Sequence, residues 1–165
     1  MKSEKENKLA QAYDLGFKFE RDHGSCSQCT FAAVREVLGK GSDELFQAID
    51  GLAGGVARST NGTCGALSGG VAMISHKYGR KEFPNLGTRE KCMVLAKKLH
   101  DKFIKEYGGI LCKDIQTKKM GRSYDLWDPK EREMFDKAGG HTDVCPDVVG
   151  KAAKWTVEIL LDEAQ

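Results

Sequence analysis

The 165-residue sequence lacks any apolar run long enough to cross a membrane. The segment 1–8 is charged and no apolar run follows it, so we expect no signal peptide. The net charge is only +2, from 26 Lys and Arg against 24 Asp and Glu, which gives no reason to expect a nucleic acid partner. Together these absences predict a cytoplasmic protein that binds neither membranes nor nucleic acids.

Segments of alternating polar and apolar residues, typical of β-strands, are also missing, as are internal repeats and low-complexity stretches. Apolar residues instead recur at helical spacing. They make up 40% of the chain, with 30% charged residues, which is ordinary for a globular domain. We therefore predict one all-α domain over residues 1–165, a bundle of six or seven helices. An N-terminal helix and linker would cover 1–23, and a cysteine-motif core 24–160.

Capping residues and glycines predict where the helices begin and end. The predicted helices cover residues 4–19, 26–38, 43–52, 64–78, 89–107, 130–138 and 145–162. Ser25, Ser42 and Thr88 are the expected N-caps of the second, third and fifth helices. Between the fifth and sixth helices we expect a short turn over 110–116 and an irregular segment over 117–127.

Cysteine, by contrast, is plentiful, with six in the chain. Cytoplasmic thiols are normally reduced, and cysteines there more often bind metals or carry redox chemistry than form structural disulfides. Those in or near the first turn of a predicted helix or short turn are Cys26, Cys29, Cys64, Cys112 and Cys145. Cys92 lies in mid-helix on an apolar stripe, which favours a core position. If the helix starts converge, they form an electropositive pocket lined by sulfur.

A glycine-rich loop over residues 54–63 leads into the fourth predicted helix. Thr63 is its expected N-cap, which makes Cys64 the first helical residue. The positive end of the helix dipole should lower the pKa of a thiol there and favour the thiolate. The thiolate is the form that attacks disulfides and binds metals, so Cys64 is a leading candidate for a redox or ligand residue.

The cysteine spacing leaves three chemistries open: an iron–sulfur cluster, a dithiol pair and a structural zinc site. Cys26 and Cys29 form a C-x-x-C at a helix start, the arrangement of many redox dithiols and metal half-sites. Thr30 stands where covalent haem would need a histidine, so covalent haem is not expected. The remaining cysteines are too widely spaced for a compact zinc finger or a ferredoxin run.

A few other residues are candidates for supporting roles. His23 and His141 each precede a cysteine by a few residues. Each is a candidate auxiliary ligand or proton donor, with an ordinary polar loop residue as the alternative. Arg58 in the glycine loop either neutralises an anionic cluster, holds a substrate anion or is an ordinary surface arginine. We expect Trp127 and Trp155 to be core anchors.

Four features, in this order, resemble the C-GCAxxG-C-C family of redox-active proteins. They are Gly24-Ser25-Cys26-Ser27-Gln28, the run Cys64-Gly65-Ala66-Leu67-Ser68-Gly69 after the glycine loop, Cys112, and Cys145 ahead of Val148-Val149 and Ala152-Ala153. The resemblance covers about residues 24–160. It implies that Cys26, Cys64, Cys112 and Cys145 are the family's four cysteines. Cys29 departs from the pattern, because it stands where the family usually has a small residue, and Cys92 is also extra.

The chain is also similar to the non-haem part of split-Soret cytochrome c, which is largely helical, dimeric and carries an iron–sulfur cluster beside its haems. The resemblance implies an electron-transfer protein with an iron–sulfur cluster of unknown type, ligated by those four cysteines, and an unknown redox partner. The loop would cover the cluster, with the candidate contact residues Gly54, Gly55, Arg58, Thr63 and Gly65. The open alternatives are an oxidoreductase that exchanges disulfides through Cys26 with Cys29 or Cys64, and a structural zinc protein.

A homodimer is the expected assembly. The related cytochrome is dimeric, and a strip of small residues, Ala66, Gly69 and Gly70, would let another helix approach closely. The same strip would serve a contact within one chain equally well, so the sequence does not decide between the two.

Overall fold

The computed structural model describes residues 3–164 and is all-helical, which confirms the predicted fold class. Within that range it has eight α-helices, one more than the upper end of our prediction, and no β-strand. The helices are α1 (Glu4–His23), α2 (Cys26–Leu38), α3 (Asp43–Ala48), α4 (Gly65–Tyr78), α5 (Leu86–Tyr107), α6 (Cys112–Met120), α7 (Pro129–Lys137) and α8 (Cys145–Asp162). A 3₁₀ turn, Asp50–Leu52, follows α3, and a π-helical turn, Gly140–Val144, leads into α8.

The last helix, α8, lies at the centre of the bundle. It packs along α1 in the most extensive helix–helix contact of the chain and also contacts α2, α4 and α5. Val149, Val157 and Leu160 of α8 are fully or almost fully buried. Gly16 lets the two backbones approach, since a Cβ there would lie 3.0 Å from the Val149 carbonyl oxygen. The N-terminal helix is therefore an integral part of the core.

The predicted strip of small residues on α4 packs inside the chain. Ala66, Gly69 and Gly70 are all buried. A Cβ on Gly69 would overlap the Ser27 carbonyl oxygen of α2, and one on Gly70 would press on Thr156 of α8. The strip thus serves an intramolecular contact, and the dimer prediction now depends on the family resemblance alone.

The start of α2 and the end of α1 differ from prediction. α1 runs to His23 instead of stopping at residue 19, because the Gly24 N–H still bonds to the Glu20 carbonyl oxygen at 2.9 Å. Ser25 precedes α2 as predicted, but its backbone is left-handed (φ 67°) and its side chain makes no capping hydrogen bond. The longer α1 brings Glu20 into a helix that faces the start of α2.

Three other boundaries also differ. α3 ends at Ala48 instead of 52, and its chain continues as the 3₁₀ turn. α5 begins at Leu86 because the Asn85 side chain, instead of Thr88, caps it by accepting from the Thr88 N–H at 3.2 Å. The expected short turn and part of the irregular segment form the regular helix α6.

Within residues 3–164, none of the helices combines the length and apolarity that a membrane span requires.

Candidate functional site

Four helix starts meet around one cavity of about 640 Å³. The helices α2, α4, α6 and α8 each carry a cysteine at the first residue or the N-cap. These four, Cys26, Cys64, Cys112 and Cys145, all line the cavity, whereas Cys29 and Cys92 do not. All six cysteines are free thiols.

A short backbone pairing holds Cys64 and Cys112 beside the cavity. The Cys64 N–H donates to the Ile110 carbonyl oxygen at 2.8 Å, and the Cys112 N–H donates to the Gly62 carbonyl oxygen at 3.0 Å. Between them, Thr63 and Leu111 form an isolated antiparallel bridge. Cys64 is therefore the N-cap of α4, whereas we predicted Thr63 as the N-cap and Cys64 as the first helical residue.

The glycine-rich loop forms a left-handed turn over one wall of the cavity. Five successive residues, Gly54 to Arg58, have positive φ angles of 64°, 72°, 66°, 51° and 58°. Three of them are not glycine, and each costs about 1–2 kcal/mol in this conformation. Backbone strain of this kind clusters at functional sites. In this conformation the Gly54 N–H donates to the Cys26 Sγ at 3.5 Å.

The loop residues predicted to contact a cofactor occupy different places. Gly54 and Arg58 line the cavity, whereas Gly55, Thr63 and Gly65 do not. Gly55 packs against Cys112 with no room for a Cβ, and a Cβ on Gly65 would overlap the Cys26 sulfur. Thr63 lies in a separate groove between α4 and α5. The lack of a side chain at Gly55 and at Gly65 therefore leaves room for Cys112 and Cys26 beside the cavity.

The mouth of the cavity carries aromatic and basic side chains. Trp127 is 63% exposed there, so its predicted core position is wrong. Its ring nitrogen donates to the Ala57 carbonyl oxygen at 2.7 Å, and the Arg58 guanidinium lies 4.6 Å from its ring centre. His23 and His141 both line the cavity, and His141 is hydrogen bonded to Asp136 at 2.6 Å. Trp155, by contrast, packs against the main core as expected.

Sequence reasoning missed Glu20. This α1 residue lines the same cavity yet is only 3% exposed, and within residues 3–164 it is the one acidic side chain that is buried. It went unnoticed because the predicted helix stopped one residue before it. Its position in the sequence could have indicated burial, because Glu20 continues the four-residue spacing of the buried residues Ala12 and Gly16.

Burial raises the pKa of all four cavity thiols. The pKa of Cys64 rises to about 12 and that of Cys112 to about 11, and those of Cys26 and Cys145 also lie well above the ordinary value. Two backbone N–H groups at the start of α4 act in the opposite direction on Cys64, but the loss of hydration is the larger effect. Our expectation of a lowered pKa at Cys64 is therefore wrong. Without a cation, these thiols stay protonated at neutral pH.

The spacing of the donors tests which group would fit. Within residues 3–164, no three His, Cys, Asp or Glu side chains are close enough together to hold one metal ion. Tetrahedral zinc with bonds of about 2.3 Å needs sulfurs within about 4 Å of one another. A polynuclear cluster instead distributes its thiolate ligands over two or more metal ions, so the four sulfurs do not all have to meet at one ion. The four thiols around one cavity thus fit a cluster better than a single zinc ion.

The C-x-x-C pair does not face the cavity as a unit. Cys26 lines it, whereas the Cys29 thiol donates to the Gly24 carbonyl oxygen at 2.7 Å and lies beside Glu20. Burial also raises the pKa of Cys29. The two thiols sit one turn apart on α2 in different surroundings.

Fold and site together define an all-helical protein in which four helix starts enclose a cavity lined by thiols. Residues 24–159 match the family described as "Putative redox-active protein (C_GCAxxG_C_C)", and the chain belongs to this family. The resemblance noted in the sequence is thereby confirmed, and it supports a general redox role. No curated protein and no solved structure matches the chain.

Proposed function

We propose that this protein is a small electron-transfer protein whose cavity holds an iron–sulfur cluster ligated by Cys26, Cys64, Cys112 and Cys145. The observation that carries the proposal is which of the six cysteines line the cavity. The four that belong to the family motif come from four different helices and line one cavity, and the two extra ones do not. Four thiolates are the usual ligand set of such clusters.

The charge of the site supports an anionic occupant. The N-termini of α2, α4, α6 and α8 all meet the cavity, and each presents the positive end of a helix dipole. The Gly54 N–H adds a donor aimed at the Cys26 sulfur. A metal cluster with four thiolates carries net negative charge, which these dipoles and donors stabilise. Hydrogen bonds to ligand sulfurs also tune the reduction potential.

Once bound, an iron–sulfur cluster supplies reversible one-electron chemistry. The chain's own residues provide the rest. Cys64 and Cys112 are held by the paired backbone segments, the left-handed loop shields one wall, and Trp127 with Arg58 covers part of the mouth. Because the thiols are protonated in the cation-free protein, loading requires their deprotonation and releases protons.

Anaerobic purification followed by iron, sulfide and zinc analysis tests the proposal. We expect a brown protein that absorbs in the visible and contains iron and acid-labile sulfide in similar amounts. A colourless protein with neither, after anaerobic reconstitution with iron and sulfide, would contradict it. A colourless protein with one tightly bound zinc per chain would favour the structural zinc alternative.

A thiol–disulfide oxidoreductase is the second candidate, because one observation favours it. The Cys26 sulfur lies against Gly65, the residue that follows Cys64, and the Cys26 and Cys64 thiols interact electrostatically, so Cys64 is a neighbour of Cys26 in the fold. In that function the cofactor-free protein would form a disulfide reversibly in a glutathione redox buffer. Thiol counting with and without oxidant separates it from the cluster protein. The cytoplasmic setting that we expect keeps the thiols reduced in either case.

A further inference from the structure

Gln116 is a buried polar side chain that bonds to one of the cavity thiols. It lies on α6, is 3% exposed and lines the cavity. Its Oε1 accepts from the Tyr124 N–H at 2.8 Å, and its Nε2 donates to the Cys112 Sγ at 3.5 Å. Buried polar groups normally find hydrogen-bond partners, but a thiol sulfur is a weak acceptor. An amide donor placed on this sulfur therefore calls for a functional explanation.

The fold leaves the amide group of Gln116 a single orientation. A backbone N–H donates and cannot accept, so the Tyr124 N–H requires the amide oxygen on its side. The NH₂ group then faces the other side, where Cys112 lies one helical turn earlier on α6. Tyr124 is itself fixed, because it is 7% exposed and packs edge-on against Phe135 with ring centres 5.7 Å apart. The protein alone thus holds the donor on the sulfur.

The donors at the other cavity sulfurs come from the backbone. Cys26 accepts from the Gly54 N–H, and Cys64 accepts from two N–H groups in the first turn of α4. Among the hydrogen bonds of residues 3–164, Gln116 supplies the one side-chain donor to a cavity thiol. A side-chain donor, unlike a backbone N–H, is lost by substitution without a change in the path of the chain. Gln116 is therefore the position at which the sequence sets the number of donors on these sulfurs.

We propose that Gln116 is a positioning residue that holds a hydrogen-bond donor on the Cys112 sulfur and thereby raises the reduction potential of the group bound in the cavity. This inference rests on the proposed function. Reduction adds one electron, and part of the added negative charge falls on the ligand sulfurs. A hydrogen bond strengthens as its acceptor gains negative charge, so the Gln116 donor stabilises the reduced state more than the oxidised state.

The step balances without a proton. The electron comes from a one-electron donor, a reduced viologen in the test below, which is oxidised as the cavity group is reduced. Gln116 exchanges no proton, and no covalent bond forms or breaks. Because a carboxamide has no titrating group, its contribution to the potential does not depend on pH.

The experiment measures the midpoint potential of the cluster-loaded protein by titration with reduced viologen. Wild type is compared with Gln116→Leu, which removes the donor and adds no charge, and with the matched control Gln28→Leu. Gln28 on α2 is half-buried and donates to the Phe46 carbonyl oxygen at 3.0 Å, outside the cavity lining. Both variants lose amide hydrogen bonds and should be less stable, but only Gln116→Leu should have a lower potential.

The expected change is large enough to measure. At a fixed solution potential, the ratio of reduced to oxidised protein should fall about tenfold in Gln116→Leu, which corresponds to about 59 mV for a one-electron couple. Gln28→Leu should keep the wild-type potential. A purely structural role for Gln116 predicts a loss of stability with no change in potential.

A second measurement needs only the wild-type protein. Pulsed electron paramagnetic resonance detects a ¹⁵N nucleus that lies close to a paramagnetic reduced cluster. Among the cavity-lining residues that the structure describes, Gln116 is the one glutamine. Protein labelled with ¹⁵N in the glutamine side chains should therefore show a ¹⁵N coupling. If Gln116→Leu fails to take up iron, the presence or absence of this coupling in wild type decides.

The outcomes separate the two proposals. If no cluster forms in wild type, the proposed function fails and this inference fails with it. If the cluster forms but Gln116→Leu keeps the wild-type potential, or labelled glutamine gives no coupling in wild type, only the role of Gln116 is overturned. An equal fall in potential in Gln28→Leu has the same meaning, because it would be a general effect of lost stability.

Discussion

Cys64 and Cys29 are the residues whose substitution best separates cluster binding from dithiol exchange. Cys64 lines the cavity at the N-cap of α4, whereas Cys29 is not among the lining residues and donates its thiol hydrogen to the Gly24 carbonyl oxygen. Cys64→Ser should strip or destabilise the cofactor, while Cys29→Ser should leave it largely intact. Iron per chain after anaerobic reconstitution measures both effects.

Cys92→Ala is the matched control for that comparison. Cys92 is 3% exposed and contacts the Ser75 hydroxyl at 3.5 Å, in the main core between α4 and α5. Its loss should lower the free energy of unfolding by on the order of 1 kcal/mol, since only one small buried group is removed. Its iron content should equal that of wild type. The reverse order, with exchange abolished by Cys29→Ser and no iron in any variant, would favour the oxidoreductase.

Glu20 also links stability to pH. Its pKa in the folded protein, about 7, lies above the reference value of 4.5, chiefly because of burial. A carboxyl with a raised folded pKa favours folding fully below the unfolded pKa, and that contribution is lost as the pH rises through the folded pKa. Between about pH 4.5 and 7, the cofactor-free wild type should therefore lose stability through this residue.

Glu20→Gln should remove that loss. At pH 8 we expect the variant to be more stable than wild type by on the order of 3 kcal/mol, with little difference at pH 4.5. Urea denaturation of the cofactor-free proteins at both pH values measures the change. Glu36→Gln, which is exposed, should match wild type throughout. An equal effect of Glu20→Gln at both pH values would show that the carboxyl is not charged in the folded protein.

At the scale of helices, the contact between α2 and α4 sets the geometry of the cavity. Gly69 of α4 sits directly against the Ser27 carbonyl oxygen, one residue after Cys26. Gly69→Ala should force the helices apart and lower the free energy of unfolding by about 3 kcal/mol, as overpacking does. It should also weaken cofactor retention, because the shift moves Cys26 relative to Cys64.

Gly87→Ala is the control at this scale. Gly87 lies in the first turn of α5 with open space around its Cα, so the substitution should be neutral or stabilise the helix by up to about 1 kcal/mol. Thermal unfolding and iron content of both variants give the comparison. Equal stability of the two variants would show that α2 and α4 can separate without cost.

At the scale of the whole molecule, the homodimer stays a prediction that follows from the family resemblance. The small-residue strip that first supported it is buried between α4, α2 and α8. Light scattering of the purified protein at tens of micromolar measures the assembly. We expect about twice the mass of one chain, and the mass of a single chain would contradict the dimer.

Over the whole molecule, local sequence patterns predict the helices but not the contacts between distant segments. The all-α fold and most helix ends follow from local signals, because apolar periodicity, caps and glycines act within a few residues. Some predicted ends are wrong because a neighbouring residue takes the capping role, as Asn85 does for α5 in place of Thr88. The sequence predicts Trp127 in the core, but the residues that hold it at the surface, Ala57 and Arg58, come from a distant loop.

The sequence by itself determined that this chain is helical, that it belongs to the family, and that Cys26, Cys64, Cys112 and Cys145 are the cysteines to examine. Only the tertiary structure decided that these four face one cavity, that Cys29 does not, and that Glu20 does. The physical reason is the sequence separation over which the interactions act. A helix start depends on neighbouring residues, whereas the pairing of residues 60–64 with 110–113 joins segments that no periodic pattern connects. Burial likewise depends on the whole fold, which is why the pKa of Cys64 rises where the helix dipole alone predicted a fall.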